Sequence, residues 1–226
     1  VTATYNKGQN KGAGFTLGVD TALNGCQLAL YNPQDRSVHT QIHPDMRGQT
    51  EHLLPMLETL LNDAQVKYED ISLIVGITGP GSFTGIRIGL AVVNALQLSL
   101  NVPALGLDSF SAFRLAEDSG GVQRVVIDSY RDELFFADID EKLQISQSGM
   151  ALPENIGATD LNILGNGRER MELNPQRLDL AQVLPALHDR DQIVSLAQYK
   201  PLAPYYIRDA DTSESKQQTW SVQSVK

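Results

Sequence analysis

The densest group of chemistry-bearing residues is Thr78-Gly79-Pro80-Gly81-Ser82-Phe83-Thr84-Gly85-Ile86-Arg87-Ile88-Gly89. A glycine-rich turn that opens a helix offers free backbone amides at a positive helix end, the arrangement that cradles phosphate. No Gly-Lys-Ser/Thr follows, so a P-loop is excluded, and the glycine spacing does not match a dinucleotide fingerprint. Gly81, Gly85 and Gly89 also recur every four residues, which lets another backbone approach one helix face closely. Two readings therefore stand: close packing, internal or at a dimer seam, and anion binding.

Other reactive residue types are sparse. His39 and His43 have the spacing that chelates zinc on a helix, but they fall in an alternating strand pattern. There they lie ~13 Å apart, too far for one metal ion. Cys26 lies inside a predicted strand, where a buried thiol is expected rather than a reactive one. No Gly-x-Ser-x-Gly elbow with suitable partners is present. Asp20, Asp108 and Asp128 end predicted strands, where a carboxylate can hold a cation or polarise a water.

The elements that must position these groups are legible from periodicity. Strands are expected over 15–20, 26–31 and 37–43, joined by turns at Asn24-Gly25 and Asn32–Asp35 into an antiparallel meander. Leu53, Leu54, Leu57, Leu60 and Leu61 form one helical stripe over 50–63, with Thr50 as cap and Pro55 near the start. A buried strand over 71–78, a helix over 82–100, a strand over 103–108 and a helix over 109–117 follow. This β-β-β-α-β-α-β order is an α/β half-molecule with parallel strands joined by crossover helices. Further on, strands are expected at 124–128, 134–139 and 161–164, and helices at 178–187 and 192–199. The expected division is a leader over 1–13, a first lobe over 14–118, a smaller second lobe over 119–208 and a tail over 209–226.

Composition bounds what such a chain does. The 226 residues carry 27 acidic against 18 basic side chains, a net charge of −9, which opposes a direct grip on nucleic acid. One cysteine excludes an intrachain disulfide and a multi-cysteine zinc site. The most apolar stretch, 86–100, has 15 residues and contains Asn94, Gln97 and Ser99, so no transmembrane span is expected. A cytoplasmic location is the expectation.

The run Gly79–Gly89 resembles the signature of the TsaB (YeaZ) family. Asp20-Thr21, Arg47–Pro55, Asp128 with Arg131 and Glu133, and Pro204–Arg208 occur in that family's order, so the likeness covers about residues 15–208. The resemblance implies a two-lobed actin/hexokinase/Hsp70-like (ASKHA) fold. It implies a non-catalytic subunit that pairs with the larger homologue TsaD, assisted by the ATPase TsaE. The reaction implied is threonylcarbamoyl transfer to adenosine 37 of tRNA, with tRNA met only through the complex. ATP and metal would belong to the partner subunits. TsaD-like homologues carry a His-x-x-x-His metal pair that the matching stretch Leu107–Phe113 lacks.

The resemblance further implies that the 50–63 and 82–100 helices form the face for TsaD or for a second copy. The candidates there are Leu53, Met56, Leu57, Leu60, Gly85, Gly89 and Val93. Asp20, Thr21, Asp128, Gly165 and Gly167 match vestigial nucleotide-site loops, with Tyr130 standing where a glycine would admit phosphate. The alternative reading is a free-standing ASKHA-type enzyme acting on ATP or an acyl-adenylate. Arg168, Arg170 and Arg208 are too few and too scattered to make an RNA-binding patch.

Overall fold

The computed structural model describes residues 14–23, 25–117, 119–156 and 160–207. The expected leader 1–13 and tail 209–226, with Asn24 and Arg208, lie outside the described residues. Two sheets form the frame. The first has β1 (Phe15–Asp20), β2 (Cys26–Tyr31), β3 (Val38–His43), β4 (Ile71–Gly79) and β5 (Ala104–Asp108) in the order β3-β2-β1-β4-β5. β1, β2 and β3 pair antiparallel, whereas β4 and β5 join in parallel. Parallel neighbours need crossovers, supplied by α1 (Gln49–Asp63) between β3 and β4 and by α2 (Phe83–Leu100) between β4 and β5.

The second sheet takes β6 (Gln123–Asp128), β7 (Leu134–Ile139), β8 (Ile145–Ala151) and β9 (Ile163–Leu164) in the order β8-β7-β6-β9. Across β6 and β7, Arg124 grips Asp138 with two bonds of 2.6 and 2.7 Å and gives a third to the Ile156 carbonyl. A fork-to-carboxylate pair this enclosed fixes the hairpin register as well as neutralising both charges. The chain reaches this sheet through α3 (Ser109–Ala116), then returns to the first sheet with α4 (Leu180–His188) and the short α5 (Asp191–Val194).

Each face of the first sheet has its own packing. Leu17, Val19, Leu28, Leu30 and Ile74 meet the leucines of α1 on one side. On the other, Ala29, Tyr31, Val75 and Ile77 belong to a cluster that includes α3, α4 and the β6–β7 hairpin, so one apolar core continues from sheet to sheet. α2 is long and apolar enough to cross a bilayer by length and composition alone. Here Ile86, Gly89, Leu90 and Val93 are buried within the fold.

Several expectations change. Gly48, in the left-handed region at φ 74°, caps α1 in place of Thr50, and Pro55 sits mid-helix on the exposed side. The helix expected over 192–199 stops at Val194. Gln198 instead exchanges two 2.8 Å backbone bonds with Ala104 and bridges the start of the β5 edge. β8 was not visible in its sequence, because Ile-Ser-Gln-Ser-Gly-Met-Ala has no clear alternation.

The proposed interface residues need the largest correction. Leu53, Leu57 and Leu60 are each 1% exposed and Val93 is fully buried; Gly85 and Gly89 are buried too, and Met56 is half-buried against the same core. An amphipathic helix beside a sheet must spend its apolar stripe on that sheet. The outward positions are others: Leu54 at 50% and Leu98 at 81% exposure, with Ala91 and Ala95.

The glycine spacing is accounted for by internal packing. A Cβ on Gly85 would stand 1.9 Å from the Thr21 carbonyl oxygen, and one on Gly89 2.3 Å from Thr21 Oγ1. Helix propensity favours Gly85→Ala by about 1 kcal/mol, but the contact is with backbone and cannot swing aside. We expect Gly85→Ala to destabilise the fold by about 2 kcal/mol or more in urea unfolding, with Gly120→Ala, which meets nothing within 4 Å, near neutral.

Candidate functional site

The β1–β2 loop is the centre of the site. Thr21 Oγ1 donates to the Gly85 carbonyl at 2.6 Å, and the Ser82 amide donates to the Ala22 carbonyl at 2.8 Å. The Gln49 amide nitrogen, at the first position of α1, gives 2.8 Å bonds to the carbonyls of both Thr21 and Gly25. Gln49 was not singled out in the sequence, where Arg47–Pro55 served only as a family-like segment and a helix start. A Cβ on Gly25 (φ 91°) would lie 2.2 Å from the His43 carbonyl, so glycine is needed at that turn.

Asp20 lies under this loop. Its Oδ1 accepts the Ala22 amide at 2.7 Å, whereas Oδ2 is buried with no hydrogen-bond partner among the described residues. Burial pushes this carboxyl up to about 7, against the opposing pull of the Ala22 and Leu23 amides. The neighbouring Cys26 thiol is raised to about 11 by burial and then by Asp20, and it is inert as a nucleophile at neutral pH.

The structure brings the three predicted loops together at one carbonyl, that of Leu23. The Tyr130 hydroxyl donates to it at 2.7 Å and the Asn166 side-chain amide at 3.3 Å. Asn166, between Gly165 and Gly167, also accepts the Asp128 amide at 3.0 Å. Asp128 Oδ1 accepts the Tyr130 amide at 2.8 Å and pairs with Arg170 at 3.3 Å. Arg170 donates onward to the carbonyls of Arg131, Asp132 and Glu133, so one guanidinium organises the whole 128–133 turn. Tyr130 holds φ 59° there, a conformation glycine would take more readily. Desolvation, then Asp128 and Asp20, push its phenol above the ordinary range, which keeps it a donor. A Cβ on Gly165 (φ 109°) would meet the Val126 carbonyl at 2.0 Å, and Gly167 also abuts the β6 backbone, so both glycines serve close packing.

Beside this junction opens a cleft of about 460 Å³, within the range of small-ligand sites. The start of α2 (Ser82, Phe83, Thr84), Tyr130, Met150 and Tyr205 are among its walls. At its rim the Arg87 guanidinium lies 3.8 Å over the Phe83 ring, which stacks on Tyr206. Ser82 Oγ caps α2 through the Gly85 amide. His39 and His43 are strand residues, and His43 stacks on His52 with ring centres 4.0 Å apart. Among the described residues no group of three or more His, Cys, Asp or Glu is placed to hold a metal ion.

Residues 37–155, more than half of the chain, match the family model described as "TsaD: tRNA N6-adenosine threonylcarbamoyltransferase". The chain belongs to this family, on its TsaB (YeaZ) branch. The Escherichia coli "tRNA threonylcarbamoyladenosine biosynthesis protein TsaB" is 32% identical over 125 residues, 54% of this chain and 53% of that protein. TsaB of Buchnera aphidicola from Baizongia pistaciae is 36% identical over 87 residues, 38% of each chain. The chain spans about half the length, or less, of the curated relatives it matches first. Among solved structures, YeaZ from Pseudomonas aeruginosa superposes with a TM-score of 0.67 at 25% identity, covering 85% of this chain and 99% of that one. The two-sheet α/β architecture is thus the two-lobed ASKHA type expected from the sequence.

The raised Asp20 carboxyl has a defined sign. The folded chain holds this proton more tightly than the unfolded chain does. The associated stability is full below the ordinary value of 3.8 and is lost as pH rises through about 7. Asp20→Asn, which cannot ionise, should therefore melt higher than the wild type at pH 8, with the gap narrowing toward pH 4. Thermal melts across that range check this, and a gap independent of pH would contradict it.

Proposed function

We propose that the chain is a non-catalytic subunit that supports threonylcarbamoyl transfer to adenosine 37 of tRNA by pairing with a TsaD homologue, with TsaE. The observation that carries this reading is the closure of the loop junction by the chain's own side chains. Tyr130 and Asn166 saturate the Leu23 carbonyl, and Arg170 takes the Asp128 carboxylate. A nucleotide triphosphate needs free backbone amides at such loops. Here the Ala22 amide bonds Asp20, the Gly25 amide Met46, the Asp128 amide Asn166 and the Tyr130 amide Asp128, so the loops as folded do not fit it. The names of the curated relatives support the pathway, and the net charge of −9 suits a subunit that leaves RNA contact to others.

The partner face in this reading is the outward side of α1 and α2. On α2 the exposed positions Thr84, Arg87, Ala91, Ala95 and Leu98 make a strip that is apolar from Ala91 onward. On α1, Leu54 is flanked by Glu51 and Glu58. An apolar strip beside carboxylates suits a partner helix pair that carries Lys or Arg at its rim.

Transfer assays with purified TsaD, TsaE, threonylcarbamoyl-adenylate and tRNA test the reading. The chain alone should give no product, and adding it should stimulate the partners. Leu54→Glu with Leu98→Glu should cut that stimulation at least about tenfold while the melting temperature holds. Turnover by the chain alone would instead favour an independent enzyme. Calorimetric titration of the lone chain with ATP should show no binding tighter than about 100 µM.

A further inference from the structure

The cleft beside the loop junction is more aromatic and less acidic than the chain as a whole. Aromatic residues make up 6% of the sequence, yet Phe83, Tyr130, Phe135, Tyr205 and Tyr206 all line it. Of these, Phe83, Tyr130 and Tyr205 are 36–46% exposed. Their positions are fixed before any ligand arrives. The Tyr130 hydroxyl is bonded to the Leu23 carbonyl, the Tyr205 amide donates to the Thr78 carbonyl at 2.8 Å, and Phe83 stacks on Tyr206. The Tyr206 hydroxyl in turn accepts the Arg87 Nε at 3.0 Å. Covering rigid aromatic surface costs little conformational entropy. Met46 and Met150 add thioethers, which adapt to the edge of a ring. Charge is as uneven as ring content. The chain has 27 acidic side chains, but among the described residues no Asp or Glu lines the cleft. Arg131 does line it, and Arg87 stands at the rim over Phe83.

We propose that this cleft binds a small planar aromatic carboxylate, its ring against Phe83, Tyr130 and Tyr205 and its carboxylate on the Arg131 guanidinium. A volume of about 460 Å³ admits a molecule of one or two fused rings. A guanidinium meets a carboxylate with two parallel charge-assisted bonds, so the match is geometric as well as electrostatic. Other ligand classes are disfavoured by what the walls lack. An aromatic amino acid would bring an ammonium group into a cleft with no acid to pair it. A phosphate monoester would bring nearly two negative charges to the single guanidinium lining the cleft. A neutral ring would gain the stacking and forgo the charged bond. This site goes beyond the subunit reading and does not rest on it, because the lone chain supplies every wall.

Titration calorimetry of the full chain with probes that share one ring and differ in charge tests this. Indole-3-acetate should bind with a Kd of about 1 mM or tighter. Indole should bind about tenfold more weakly, the loss expected for one charge-assisted contact. Tryptophan and tryptamine should be weaker still. Arg131→Gln should lower the affinity for indole-3-acetate to that for indole while leaving indole itself unchanged. Phe83→Ala should weaken both about fivefold. Both positions are exposed, and thermal melts should find both variants folded. Several results would overturn the proposal: indole-3-acetate binding weaker than about 1 mM, or tryptophan or tryptamine binding as tightly as the acid. So would adenosine monophosphate binding more tightly than indole-3-acetate, or an Arg131→Gln chain that still prefers the acid to indole.

Discussion

The loop between β1 and β2 is seated against a helix that has no side chains where the loop touches it. Thr21 contributes its carbonyl and its hydroxyl to a groove floored by Gly85 and Gly89, and Ala22 is held at the start of the same helix by the Ser82 amide. No residue with a Cβ fits at Gly85 without moving the backbone, and one at Gly89 would displace the Thr21 hydroxyl. Once this contact is made, the position of α2 on the sheet, the depth of Asp20 and the direction of the Leu23 carbonyl follow. Gln49 ties α1 to the same loop, so both crossover helices are referenced to one turn of chain.

That seating has a cost and a consequence. The cost is Asp20, enclosed with one oxygen unpartnered among the described residues and its proton held to about neutrality. The consequence is that the loop presents the Leu23 carbonyl to the second sheet, where Tyr130 and Asn166 converge on it. The family resemblance implies phosphates in the space between such loops. Here it is spanned by a phenol and an amide, and the Asp128 carboxylate is engaged by Arg170. Beside it the cleft at the start of α2 stays open, and α2 turns Ala91, Ala95 and Leu98 outward.

The regular elements of the first half were legible because both periodicities are clean there. β1, β2, β4, β5, α2 and α3 fall within about one residue of their expected bounds, since alternating and 3.6-residue apolar patterns admit one assignment each. β8 was not legible, since Ser, Gln and Gly carry little strand preference and β7 supplies the bonding that makes it a strand. Nor was the end of α5, because Gln198 is drawn out of helix by the free edge of β5. The partner-face residues were misassigned for a physical reason too. A leucine stripe shows that a helix has an apolar side without showing which neighbour that side meets, and here the sheet takes it.

Residue types and spacing by themselves determined the α/β class and the glycine signature, and it is the resemblance carried by that signature that pointed to the family. The first two depend on local periodicity and on glycine positions that a close backbone contact demands. The acidic balance argued against a direct hold on RNA from the first count. Tertiary structure alone decided what the four-residue glycine spacing receives, which is the chain's own Thr21, not a phosphate or a second helix. It also decided that the loop carbonyls are already bonded and which faces stay uncovered. Those outcomes depend on contacts between residues 64 to 143 positions apart, and no local pattern in the sequence encodes them.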